Sequence, residues 1–193
     1  MRIKIAIVLA ILLVFSFSAS AQSGTVFAGY SYTNVDTNGS TGRLNFNGWE
    51  AGASYNLNKL FAAEGIVAGG YKNNAFNEGG VGVDAKVYTY LFGPRVNLGP
   101  YAFAHFLVGG AHFTESWTSS AIPAYGSGMS TSNSDNSFAM SIGGGAQIKV
   151  ARHVAVRTTF DFVPTYFSSD TQKNIRIGVG LAYLFGHQAY AKN

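Results

Sequence analysis

The sequence predicts an all-β fold: an eight-stranded antiparallel up-and-down transmembrane β-barrel, following an N-terminal signal peptide over residues 1–21. Three observations predict it. Polar and apolar residues alternate with period two through most of the chain. The connections between the alternating segments are long and short by strict turns. Charged residues make up only 11% of the chain, less than half the share of about 25% in an ordinary soluble domain.

The first 21 residues have the three parts of a secretory signal. Arg2 and Lys4 form a charged start, Ile5 to Phe17 is an apolar middle, and Ala19-Ser20-Ala21 supplies small residues for cleavage before Gln22. The apolar run is short for a spanning helix, which needs about 20 residues. No cysteine follows it, so no lipid attachment is expected, and no disulfide framework supports the fold. Removing Arg2 and Lys4 from the 13 basic residues leaves 11 against 9 acidic ones, a net charge of +2. The remaining cations are scattered, so a nucleic-acid partner is not implied.

Strands are expected in order near 25–33, 44–57, 61–71, 85–97, 101–111, 137–150, 154–164 and 174–185. The second shows the alternation well: Trp49, Ala51, Ala53, Tyr55 and Leu57 oppose Glu50, Gly52, Ser54 and Asn56. In the fourth, Tyr88, Tyr90, Phe92, Pro94 and Val96 oppose Thr89, Leu91, Gly93, Arg95 and Asn97. The eighth sets Ile175, Ile177, Val179, Leu181, Tyr183 and Phe185 against Arg176, Gly178, Gly180, Ala182 and Leu184. Each segment has the length of about 10 residues that a tilted strand needs to cross a bilayer. Pro94 cannot donate to a ladder, so a bulge or an unpaired position is expected there.

Residues 34–43, 72–84, 112–136 and 165–173 form the long connections, and 58–60, 98–100 and 151–153 the short ones. Short periplasmic turns and longer external loops are the pattern of an outer-membrane barrel. It places both chain ends on the periplasmic side.

Alternation alone would also fit a soluble barrel. However, eight strands enclose a lumen just wide enough for side chains. The apolar faces are nearly free of charge and carry large aromatics, which fit lipid better than that narrow interior. The lumen would then hold Glu50, Glu64, Arg95, His105, Gln147, Lys149, Arg157, Asp161 and Arg176. Opposite charges in a narrow cavity should pair. The expectation is therefore a lumen charge network of Glu50, Glu64, Arg95, Lys149, Arg157, Asp161 and Arg176 that fills the barrel. An ion path along the same residues is the alternative. The strand around His105 is apolar on both faces, so the pattern does not set its direction. Asp161 and Arg176 should face each other in a hairpin centred near residue 169.

Residues 24 to 185 resemble the small outer-membrane β-barrel family typified by the OmpA membrane domain and OmpX. The resemblance rests on the topology, on VYTYLFGPRV, SIGGGAQIKV and VAVRTTFDF, and on the ending GLAYLF. It implies an outer-membrane location and outer-membrane lipid as a partner. It also implies reading by the insertion machinery of a C-terminal strand signal, with Gly180, Tyr183 and Phe185 at the matching positions. Here Gly186 to Asn193 follow the signal, which usually ends the protein in this family. That tail is too short for the peptidoglycan-binding domain of OmpA, so its tethering role does not carry over.

Sites of chemistry are sparse. The four histidines, His105, His112, His153 and His187, have no i, i+4 metal pair, and Gly143-Gly144-Gly145 lacks the following Lys-Ser/Thr of a phosphate loop. Asn38-Gly39-Ser40 matches a glycosylation sequon. His112, Glu115 and Ser116 lie together at the start of the longest loop, where some small barrels carry lipid-modifying catalytic groups. The expected function is an integral outer-membrane surface protein, contributing to envelope structure or surface interaction through its external loops. No enzyme activity, metal or cofactor is expected, and the protein is expected to be a monomer; no motif specifies an external ligand. A narrow passive channel and a lipid-modifying enzyme are the alternatives.

Overall fold

The computed structural model describes residues 23–36, 42–78, 81–119, 130–167 and 170–186. The expected signal peptide, the sequon at Asn38, His187 and the tail beyond Gly186 lie outside them. Eight strands follow in order: β1 (Gly24–Asp36), β2 (Arg43–Asn56), β3 (Phe61–Glu78), β4 (Val81–Leu98), β5 (Ala102–Ser119), β6 (Ser130–Lys149), β7 (Val154–Phe167) and β8 (Asp170–Phe185). Each pairs antiparallel with its sequence neighbours, and β8 closes on β1 from Gly24↔Phe185 to Asn34↔Ile175. Closure leaves no ladder edge in hydrocarbon, the condition for a sheet to span a membrane.

Period two sorts the side chains between the two faces. Leu181, Phe92, Phe160 and Ile142 are exposed on the outside, while Glu64, Asp161, Arg157 and Arg176 are buried inside. The short turns are tied locally. The Asn58 side-chain oxygen accepts from the amides of Leu60 at 2.8 Å and Phe61 at 2.7 Å. Gly99 turns the β4–β5 connection at φ +75°, a conformation that favours glycine. At the closing seam Gly29 faces Gly180, and a Cβ on either would run into the backbone of the opposite strand.

Every strand but β2 is longer than the alternation predicts, and β3 to β6 are extended most. β3, β4 and β5 have 18 residues each and β6 has 20, so most of the expected loops 72–84 and 112–136 are paired strand. The ladder from His112↔Asn136 to Thr118↔Ser130 continues without interruption. Its β6 side, Ser130 to Asn136, is polar on both faces and so gives no apolar alternation. Between Lys72 and Phe76 the register of β3 shifts against β4, setting three residues against Asp84.

Both strand prolines sit where one ladder is interrupted. The β4–β5 pairing breaks between Phe92↔Val108 and Arg95↔His105, leaving Pro94 unpaired on that side while it still faces Ala63 of β3. The β6–β7 pairing breaks beside Pro164 in the same way. Equal numbers of residues are skipped on each strand, so neither break changes the register.

Candidate functional site: the charged plug of the lumen

Inward positions of six strands place a single charged cluster across the middle of the barrel. Glu64 of β3 accepts from Arg95 Nη1 of β4 at 3.0 Å and from Arg157 Nη2 of β7 at 2.8 Å. His105 of β5 lies between two carboxylates, with Nδ1 2.8 Å from Glu64 Oε1 and Nε2 2.8 Å from Asp161 Oδ1. Carboxylate oxygens on both sides call for a donor on both ring nitrogens. Asp161 Oδ2 accepts from Arg176 Nε at 3.1 Å and Nη2 at 2.7 Å. Glu50 completes the set, accepting from Thr159 at 3.3 Å, with Arg176 Nε 4.0 Å from its other oxygen.

These contacts cross the lumen. Glu64 and Arg157 stand on β3 and β7, and Arg176 of β8 reaches Thr89 of β4 at 3.4 Å. Neutral partners take up further donors: Arg95 Nε donates to Asn97 at 3.1 Å and Nη1 to Ser54 at 3.4 Å. The Arg157 guanidinium lies 3.9 Å from the Phe27 ring centroid and 4.2 Å from that of Phe103. Such stacking offsets part of the desolvation of a buried cation. The expectation that large aromatics belong to the lipid face holds for Trp49, Tyr90, Phe92, Phe160 and Tyr183, but not for every ring. Phe27 and Phe103 point inward, where they stack on the guanidinium groups of Arg157 and Arg95, and Phe46 points inward to pack with Val35 and Ala85.

The plug separates two small cavities. One, of about 30 Å³, is lined by Ser31, Thr33, Thr89, Thr165, Asn174 and Arg176. The other, of about 40 Å³, opens toward the short turns between Arg95, Asn97, Asn56, Tyr101 and Gln147. Each has room for about a water molecule or two.

Of the residues expected in the lumen network, Glu50, Glu64, Arg95, Arg157, Asp161 and Arg176 are buried in this cluster. Lys149 is not. It has the inward parity, but β6 ends there and the side chain is exposed beside the turn at 150–153. Gln147 lines the cavity at the same end. His105, the centre of the cluster, could not be oriented from an apolar strand; its register opposite Arg95 is what reveals its direction.

His112, Glu115 and Ser116 do not assemble. Alternation puts Glu115 on the opposite face from the other two, and His112 instead engages Asn136 at 2.8 Å and Thr114 at 3.2 Å. Among the described residues no group of three His, Cys, Asp or Glu could hold a metal ion.

A closed antiparallel barrel with an apolar outer belt and a packed, charge-paired interior is the form of a transmembrane β-barrel. The chain belongs to the outer membrane protein beta-barrel domain family, whose model matches residues 7–185, and it is a protein of the outer membrane. Solved structures show the same fold. Ail of Yersinia pestis, the attachment invasion locus protein, in complex with the heparin analogue sucrose octasulfate, is 22% identical, with a TM-score of 0.64 over 85% of this chain and 99% of that one. A major outer membrane protein of Thermus thermophilus is 9% identical, with a TM-score of 0.60 over 84% and 99%. Neisserial surface protein A is 12% identical, with a TM-score of 0.52 over 86% and 98%. A search of the curated proteins found no match.

Proposed function

We propose that this barrel is a surface-presenting protein rather than a conduit or an enzyme. The observation that carries the reading is the unequal length of its strands. β3 to β6 run 18 to 20 residues, whereas β1, β2, β7 and β8 run 13 to 16. A four-stranded sheet therefore continues past the belt on the side opposite the short turns. Among the described pairings, β3 beyond Tyr71 pairs with β4 only, and β6 before Phe138 pairs with β5 only. Such edges offer backbone donors and acceptors to an added strand, a recurrent mode of recognition. The names of the attachment protein Ail and of Neisserial surface protein A fit a surface role. The plug supports the same reading, since its paired charges fill the bore a solute would need. In this reading the insertion machinery engages β8, where Tyr183 faces outward.

The test is to shorten the two external hairpins, deleting 74–82 and 117–131, and to display both forms on a bacterium that does not otherwise adhere. The shortened barrel should still fold, as shown by heat-modified gel mobility, and should lose adhesion to host cells and matrix. Adhesion unchanged by the deletion would defeat the proposal.

A further inference from the structure

Charge is distributed unequally between the two ends of the barrel. Lys59 lies in the turn between β2 and β3, and Lys149 and Arg152 lie at the turn between β6 and β7; all three are exposed. No Asp or Glu occupies any of the three short turns. The nearest carboxylate in sequence is Glu64, buried in the plug. The opposite end differs: Asp36, Asp84, Glu115 and Asp135 accompany Arg43, Lys72, Lys86 and Lys173.

The setting of the three cations says what they meet. Lys59 is flanked by Leu57, Leu60 and Phe61, exposed at 59%, 47% and 46%. Lys149 stands between Ile148 and Val150, exposed at 53% and 61%, and Tyr101 of the third turn is exposed at 61%. Large apolar groups at that exposure belong at the margin of the hydrocarbon layer, with Tyr at the headgroup level. The exposed cations Lys59, Lys149 and Arg152 stand on the same turns, at the level where long cationic side chains meet the headgroups. The two cationic turns are also on opposite sides of the closed ring, half of its strands apart in either direction. A compact ligand would not contact both, but a planar leaflet does.

We infer that the short-turn end of the barrel docks on anionic phospholipid headgroups of the periplasmic leaflet, with Lys59, Lys149 and Arg152 as the contacts. This surface is separate from the external sheet edges and stands or falls without them. The lipid chosen should be one with a net negative headgroup, such as phosphatidylglycerol, over a zwitterionic one of equal chain length.

The experiment is spin-label selectivity in the boundary shell. The mature protein is reconstituted in phosphatidylcholine vesicles with trace spin-labelled phosphatidylglycerol or phosphatidylcholine, and the motionally restricted fraction of each is measured. The wild type should hold phosphatidylglycerol in preference, by about fivefold at a site beside each cation, and salt should reduce the preference. The variant Lys59→Gln/Lys149→Gln/Arg152→Gln should restrict both lipids equally. The variant Lys86→Gln/Lys173→Gln, changed at the other end, should keep the wild-type preference and shows that reconstitution itself is sound. Equal restriction of the two lipids by the wild type overturns the inference. So does a preference that survives the triple substitution, or one that the Lys86/Lys173 variant abolishes.

Discussion

Asp161 and Arg176 stand directly across from each other on β7 and β8, and their side chains meet inside the lumen at 2.7 Å. The carboxylate is fully buried and the guanidinium nearly so. A pair like this is worth little relative to an apolar filling, but losing one partner leaves an uncompensated buried charge. Arg176→Ala should destabilise the barrel, and Asp161→Ala in the same chain should restore part of the loss. Restoration is only partial because Asp161 also holds His105. A double-mutant cycle by urea unfolding in lipid vesicles should give a coupling of about 1–3 kcal/mol. Strict additivity would mean that the two side chains do not meet.

His105 ties Glu64 to Asp161, so its removal affects two carboxylates together. His105→Phe keeps an aromatic ring in place and removes both hydrogen bonds. Each carboxylate that loses a partner costs about 1–3 kcal/mol, and unfolding by urea should register the sum. A variant as stable as the wild type would show that the imidazole only fills space.

Leu181 is exposed at 61% on the outward face of β8. With lipid around it, Leu181→Arg should cost about 2–4 kcal/mol near the bilayer midplane. Unchanged urea stability after insertion into vesicles would reverse the assignment of faces.

Gly180, one residue earlier, tests the closing seam instead. A Cβ there would meet the carbonyl oxygen of Ala28 and the Cα of Gly29 on β1. Gly180→Ala should force β1 and β8 apart and lower the temperature at which heat-modified gel mobility is lost. Gly42→Ala is the comparison: a Cβ there meets nothing within 4 Å, but φ is +80°. It should cost only the backbone strain of that turn, of the order of 1 kcal/mol.

How much of this was legible in the sequence depended on where water and lipid are. Within the belt, lipid outside and a polar lumen inside impose opposite chemistry on neighbouring residues. The faces of Trp49/Glu50 and Leu181/Ala182 could therefore be read directly. The segment from Ser130 to Asn136 is polar on both faces, so it reads as loop although its backbone is paired. The plug was legible in its charges but not at its centre. Leu107 and Phe103 share the inward face with His105, and Phe106 and Val108 share the outward one, so apolarity carried no direction. Lys149 shows the opposite failure: parity points it inward, but the strand ends before the lumen can enclose it.

The central claim is that paired charges close the bore, and single-channel recording in planar bilayers tests it most directly. Wild-type protein should give no sustained conductance. Glu64→Ala with Arg157→Ala, which removes the contact from β3 to β7, should raise the frequency of openings. A steady open-channel current from the wild type, with ion flow proportional to voltage, would contradict the closed lumen and assign the barrel to transport.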